Sequence, residues 1–399
     1  MRFTFIGNLA FNDKADAKVP AVRKIGDSGI GINASVVAAI NNRAFVEATG
    51  WENDVIKTKD IDGNNIEINW DDRFDEDVVK NVASYRKYFI TIDGDRKEFI
   101  TAYDFCEFIR DNLDTIKDKK CIVKGQTQEN FYKGKESKRL QINNIRLIDD
   151  DDDEKNILTF DTTFYWSKDG VDMTDFKDDK KIYINGYTPE FVSAKDLDED
   201  KGASKYIPIQ LIINCAKVDF DNAEHIKLLN YRLTNLGLMY KDGKIVNNLK
   251  NSKYYANEIT ISYHNGAQDM GDAEDITYDM LTDMQKLKCD LGFAKPEDFA
   301  TNGRSFGERV VENRVYLFSG KGDYANGYIA LDDTVDEFED NIFIPSDDDD
   351  EIMPKPKKKD EDDEKPKKSK IKKVSDPEPE DEPEDEPEEL NNEIEDIFR

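Results

Sequence analysis

The sequence predicts a mainly β chain with some helix: an N-terminal β-barrel over residues 1–148, a second β-rich α+β region over 160–345, and a disordered charged tail over 346–399. Three observations carry that expectation. The first 148 residues are a series of short β-branched and aromatic runs separated by turn residues. The stretch from Phe160 to Phe343 follows the same grammar, with glycine again set inside an apolar run. From Ser346 onward there is no aromatic until Phe398, and Pro, Glu, Asp and Lys dominate. Such a composition cannot bury enough apolar surface to offset its ordering entropy.

Taken in order, Arg2–Phe11 reads as a strand interrupted by Gly7, and Gly29–Val37 and Arg43–Trp51 follow around an Asn41-Asn42 turn. Tyr88–Ile92 and Glu98–Thr101 flank Asp93-Gly94, the strongest hairpin signal in the chain. Residues Ala102–Ile116 place Phe105, Phe108, Ile109, Leu113 and Ile116 at helical spacing. Lys120–Gln126 and Leu140–Ile148 complete the unit around a turn at Lys133-Gly134-Lys135. The acidic run Asp149–Glu154 cannot be buried and marks a linker over 149–159. Beyond it, strands are expected at Lys181–Tyr187, Tyr206–Val218, Glu258–Tyr263 and Arg314–Phe318, and helices at His225–Leu238 and near Met280–Leu291. No clean repeat period is visible, so the sequence leaves open whether this second region is OB-like.

The formal charge is −30 and the pI about 4.5. Ser346–Arg399 holds 23 acidic and 11 basic residues, which leaves −18 on the remainder. Phosphate neutralisation needs Lys and Arg, so a nucleic-acid partner would have to use a local basic stripe on an acidic body. Cys106, Cys121, Cys215 and Cys289 form no Cys-x-x-Cys pair, and His225 and His264 are the only histidines. Neither a structural zinc site nor any other metal or cofactor is expected, and the cysteines read as reduced thiols. No Ser/His/Asp or Cys/His set is complete, so no enzyme activity is expected. Asp60-Ile-Asp-Gly-Asn-Asn65 has its glycine misplaced for a calcium loop and reads as a hairpin turn. Ser319-Gly-Lys-Gly322 lacks the flanking residues of a phosphate loop. With no apolar run of membrane-spanning length and no signal-peptide pattern at the N-terminus, the expected location is the cytoplasm, or the host cytoplasm for a phage protein.

Two motifs carry a resemblance. Phe5-Ile-Gly-Asn-Leu9 opens the chain, and Cys121-Ile-Val-Lys-Gly-Gln126, Phe131-Tyr-Lys-Gly-Lys135 and Arg139-Leu-Gln-Ile-Asn143 form a late hairpin. Over about 148 residues this resembles the bacterial and phage single-stranded-DNA-binding protein family. The middle departs from the simplest members through an insertion around Asp54–Ala83 and the hairpin before the helix. The resemblance implies an OB-type barrel, single-stranded DNA as partner, and roles in DNA replication, recombination and repair. It also implies a disordered acidic tail whose apolar tip recruits replication or repair proteins. Here that tip is Glu395, Asp396, Ile397 and Phe398, followed by Arg399. Oligomeric state stays open, with a homo-oligomer allowed.

Single strands offer π faces and a phosphate string, so a binder interleaves aromatics with Lys and Arg. The candidates are Trp51, Tyr85, Arg86, Lys87 and Tyr88, then Lys124, Phe131, Tyr132, Lys133, Lys135, Lys138 and Arg139. Trp70 is a further stacking candidate; Arg43 and Arg73 are weaker ones, and Trp51 and Phe89 read equally well as barrel core. The rival expectations are a protein-interaction hub that binds no nucleic acid, and a catalytic domain of unfamiliar type within Phe160–Phe343.

Overall fold

The protein is described from a computed structural model. It covers residues 1–344 except 13–18, 133–134, 150–151, 153, 175, 177–179, 198, 248–251, 273–277, 279–280, 282, 291–294, 297–299, 302–303, 319–326 and 332–334. The tail expected over 346–399, its tip at Glu395–Phe398 included, lies outside the described residues.

The first unit runs β1 (Arg2–Ala10), β2 (Val22–Ile25), β3 (Gly29–Ala39), β4 (Asn42–Trp51), β5 (Val55–Lys59), β6 (Asn65–Asn69), α1 (Glu76–Asn81), β7 (Tyr88–Ile92), β8 (Asp95–Phe99), α2 (Ala102–Asp111), α3 (Leu113–Ile116), β9 (Lys120–Tyr132) and β10 (Lys135–Leu147). Five strands close a circuit. β1 pairs antiparallel with β9 from Arg2 to Asn8 and with β3 through its end, β3 pairs with β4, and β9 with β10. One parallel pair, Glu47↔Gln141, joins β4 to β10. This is the five-stranded, partly open barrel of the OB type. Strand alternation drives closure: β4 turns Ala44, Val46, Ala48 and Gly50 inward and Arg43, Phe45, Glu47, Thr49 and Trp51 outward. Gly125 of β9 leaves room that a side chain would fill, since a Cβ there would lie 2.0 Å from the Gln141 carbonyl oxygen.

The helix before the last hairpin forms as its spacing predicts. Thr101 caps it, its Oγ1 accepting from the Asp104 amide at 3.1 Å, and Phe105, Cys106 and Ile109 are buried. Asp93 and Gly94 both have positive φ, 50° and 81°, as a two-residue I′ hairpin requires. β8 therefore starts at Asp95, directly after the turn, three residues earlier than the Glu98 start expected from the sequence. The Asp60 segment is the β5–β6 turn, with the Asp60 carboxylate accepting from the amides of Asp62 (3.0 Å) and Asn64 (2.8 Å).

The second unit runs β11 (Ile157–Asp172), β12 (Lys181–Val192), α4 (Ala194–Leu197), β13 (Ala203–Asn214), α5 (Ala223–Thr234), β14 (Leu238–Lys241), β15 (Lys244–Asn247), β16 (Tyr255–Asp272), α6 (Asp283–Asp290), β17 (Ala300–Thr301), β18 (Arg304–Phe318), β19 (Ile329–Ala330) and α7 (Val335–Asp340). Its pairings repeat the first circuit. β11, β12 and β13 are successively antiparallel, β13 is parallel to β18 through Ile212↔Arg314, β18 is antiparallel to β16, and β16 to β11. Helix α5 lies between the third and fourth strands, as α2 does in the first barrel.

Trp166 and Tyr255 are the largest side chains in this second core, 5.4 Å apart between ring centroids. The Trp166 indole donates to Asn257 Oδ1 at 2.7 Å, and the Asn257 amide donates to the carbonyls of Asn235 (2.7 Å) and Gly327. Trp166→Phe keeps an aromatic there but strands the Asn257 carbonyl oxygen. It is expected to cost about 1–3 kcal/mol, read as a lower urea midpoint at unchanged slope.

The barrels are joined edge to edge in one sheet by antiparallel pairing of β1 with β11, centred on Thr4↔Thr159. That register relates the two units by an approximate two-fold axis and brings Phe5 and Phe160 edge to face at 5.4 Å. The symmetry extends outward. The β3–β4 turn rests on β16, where Asn42 Oδ1 accepts from the Asn265 amide at 3.0 Å. Reciprocally the β12–β13 arm rests on β9. There buried Glu190 accepts from the Thr127 hydroxyl at 2.8 Å and from the Met1 amino group at 2.7 Å. Thr127 and Asn265 are equivalent positions, each three residues beyond the strand partner of Thr4 or Thr159.

Candidate nucleic-acid interface

The outward side of β4 and its neighbours forms the candidate site. Phe45 is 59% and Trp51 48% exposed, on the same side of one strand. At about 3.3 Å per residue they stand roughly 20 Å apart along β4. Two glycines of β3, opposite Trp51 and Thr49, make part of the surface. Gly29 pairs with Trp51, and a Cβ on it would lie 2.8 Å from the indole, so the ring covers bare backbone. Gly31 is likewise covered by the Arg23 side chain from β2. Between the aromatics sits Glu47. It accepts from Arg23 Nη2 at 3.1 Å and Gln141 Nε2 at 2.8 Å, and lies 3.7 Å from Arg139 Nε. Arg43 and Arg139 are exposed on the same face. Two accessible rings flanking a guanidinium–carboxylate–guanidinium row can stack bases and contact phosphates. β9 and β10 extend this side of the barrel as a long hairpin reaching Tyr132↔Lys135.

No family model matches the chain, and no curated protein does. Among solved structures it is similar to a deletion mutant of the single-stranded DNA binding protein from Thermus aquaticus. The alignment covers 66% of this chain and 86% of that one, at 9% identity and a TM-score of 0.28. The site therefore rests on the chain's own surface.

The sequence candidates scatter. Trp51, Arg139 and Lys124 are exposed on β4, β10 and β9. Tyr85 and Arg86 are exposed in a turn before β7, with the guanidinium 5.7 Å from the Tyr85 ring centroid. Lys87 is tied to Glu98 at 3.0 Å, its side chain nearly buried. Lys138 pairs with buried Glu129 at 2.9 Å. Tyr88 is a correction: its ring packs 5.4 Å from Phe105 against the barrel core, because strand parity turns it toward α2. Phe89 is buried as well. For Phe131, Tyr132 and Lys135 only the backbone pairing is described, and Lys133 lies outside the described residues. Trp70 and Arg73 are engaged with each other at 4.3 Å, and Arg73 with Asp104 at 3.2 Å.

Sequence reasoning missed Phe45 and Arg23. For Phe45 the signal was present: it shares parity with Arg43 and Trp51, opposite a run of small inward residues. The cleft on the far side of Trp51 is lined by Glu52, Asp54, Asp71 and Asp72, the wrong sign for phosphate, so a strand would run toward Arg23 and Arg139 instead.

Burial pushes the thiols of Cys106, Cys121 and Cys215 up to about 12, which leaves them protonated at neutral pH. Among the described residues no group of three or more His, Cys, Asp or Glu is arranged to hold a metal ion, and no helix is long and apolar enough to cross a membrane.

Proposed function

We propose that this chain binds single-stranded DNA on the outer face of its first barrel, with Phe45 and Trp51 stacking bases and Arg23, Arg43, Arg139 and Lys124 meeting phosphates. The observation that carries this is the pair of exposed aromatics on one side of β4 with two arginines between them. The chain acts without catalysis, in the cytoplasm, protecting single strands during replication, recombination or repair. Its tail recruits partner proteins through Glu395–Phe398. The −18 charge outside the tail favours the rival, a protein-interaction hub that binds no nucleic acid.

Salt-titrated binding of oligo-dT to the full chain and to a chain lacking Ser346–Arg399 separates the two. The expected log–log slope is about −0.7 per phosphate contact. No binding by either protein at low salt overturns the proposal in favour of the hub.

Glu47 supplies an internal check. It neutralises the two guanidinium groups a phosphate would need, so Glu47→Gln is expected to raise affinity several-fold and steepen the salt slope. Weaker binding by Glu47→Gln would remove Arg23 and Arg139 from the site.

A further inference from the structure

In the second barrel, β12 and β13 take the places that β3 and β4 take in the first. Their outward sides carry Tyr183, Asn185, Tyr187 and Phe191 on β12, and Tyr206 and Gln210 on β13. Helix α7 covers the part of this face around Tyr187 and Tyr206 and leaves Phe191 exposed. Phe338, only 2% exposed, lies among four tyrosines, with ring centroids 4.5 Å from Tyr206, 4.8 Å from Tyr254, 5.2 Å from Tyr165 and 5.7 Å from Tyr187. Glu339 beside it is held by the Lys253 ammonium and, at 2.9 Å, by the Tyr254 hydroxyl, and these hold its carboxyl below the ordinary value. The chain then adds to the open edge of β13. The Tyr206 amide donates to the Asn341 carbonyl at 2.9 Å and the Phe343 amide to the Tyr206 carbonyl at 3.0 Å. Lys205 donates to Asn341 Oδ1 at 3.2 Å.

Two features mark α7 as an occupant of this face and not a part of the barrel. The strand circuit β11–β12–β13–β18–β16 closes without it. The helix is six residues long, Val335-Asp-Glu-Phe-Glu-Asp340, with four acidic residues and one buried anchor, and a helix that short has no stability of its own. What it offers the face is an aromatic ring next to an anion, seated on tyrosines and the Lys253 ammonium. A nucleotide offers the same two groups.

We propose that the face beneath α7 is a second single-stranded-DNA site, with Tyr187, Tyr206 and Tyr254 receiving bases and Lys253 receiving phosphate, and that α7 is a resident mimic displaced when DNA enters. The inference rests on single-stranded DNA being the ligand of the first barrel. Short oligonucleotides then occupy the first face alone, and longer ones compete α7 away from the second.

The test uses the full chain with oligo-dT of increasing length, reading affinity, nucleotides occluded per chain, and hydrogen exchange over residues 335–343. Phe338→Ala removes the anchor, and Glu339→Lys sets a cation against Lys253 while leaving the anchor in place. Long oligo-dT is expected to strip protection from 335–343 in the unmodified chain. Phe338→Ala is expected to bind several-fold tighter and occlude more nucleotides, and adding Tyr187→Ala with Tyr206→Ala should cancel that gain. Should Phe338→Ala fail to fold, Glu339→Lys carries the same comparison. Unchanged exchange at 335–343 with oligo-dT bound, and unchanged occlusion in the variants, overturns the second site and leaves the first-barrel reading intact. A gain in self-association with no gain in occlusion also overturns it, since the face then takes a second copy of the chain. If no form binds oligo-dT, both readings fall. If Phe338→Ala still binds long oligo-dT with Phe45 and Trp51 replaced by alanine, the second site binds by itself; if those replacements also leave the affinity for short oligonucleotides unchanged, the first-barrel reading falls and the second site stands without it.

Discussion

Replacing Phe45 and Trp51 together by alanine is expected to weaken oligo-dT binding by at least about 2 kcal/mol, roughly 30-fold, because each stacked base contributes about 1–3 kcal/mol. Both rings stand on the outward side of β4, while the inward side that builds the barrel is Ala44, Val46, Ala48 and Gly50. The substitutions therefore leave the core untouched, and far-UV circular dichroism and the urea midpoint should hardly move. The salt slope should also stay where it is, since no charge is removed. Arg23→Ala and Arg139→Ala are expected to do the opposite, each reducing the slope by about 0.7 with a smaller loss of affinity. A double aromatic variant that binds as tightly as the unmodified chain would take the site off β4. One that changes the slope and not the intercept would mean the rings only position the arginines.

That face was half legible in the sequence. The alternation from Arg43 to Trp51 gives both the strand and the outward parity of Phe45, and Trp51 was singled out although core and platform were equally good readings of it. Arg23 was not legible, because β2 is four residues long and its position over Gly31 depends on pairing with a strand whose register only the closed barrel sets. Tyr88 and Lys87 sit in a stretch that reads as aromatic and basic, yet one ring faces α2 and the ammonium faces Glu98 across the hairpin. Composition shows which residue types are present, and only the pleat decides which side they take.

The first barrel was readable because β-branched and aromatic runs alternate along its strands and its glycines and Asp-Gly turn punctuate them. The duplication was not. The two units share a pairing circuit, but along β1 and β11 the equivalence reduces to Thr4 with Thr159 and Phe5 with Phe160. The second unit's hairpin turn, Asp242 (φ 51°) and Gly243 (φ 77°), is also an Asp-Gly pair, but the strands it joins are only four residues each and give a weak alternation.

The second large effect concerns the joint between the barrels. Gly266→Ala is expected to destabilise the chain by about 1–3 kcal/mol or more, because overpacking at a site that cannot relax forces backbone to move. A Cβ on Gly266 would lie 1.7 Å from the carbonyl oxygen of Asn41 and 2.5 Å from its carbon, so the obstacle is backbone and not a flexible side chain. Neither side can yield cheaply. Gly266 is fixed in β16 opposite Val310, and the Asn41–Asn42 turn is fixed by its own bonds to β16, Asn41 Nδ2 to the Ala267 carbonyl at 3.1 Å and Asn42 Oδ1 from the Asn265 amide. The barrels would separate here before either core is disturbed, since Phe5 and Phe160 lie at the centre of the joint, beside Thr4↔Thr159, and not at the turn. Urea unfolding of the unmodified chain should follow a single transition, with the barrels coupled through β1–β11 and through both reciprocal contacts. In Gly266→Ala the transition should broaden or split, and Glu190→Ala should act in the same direction by leaving the Met1 amino group buried without its carboxylate. A sharp single transition at the original midpoint in both variants would mean that the contacts of the turn and the arm add nothing to the β1–β11 seam, and that the seam alone holds the two barrels together.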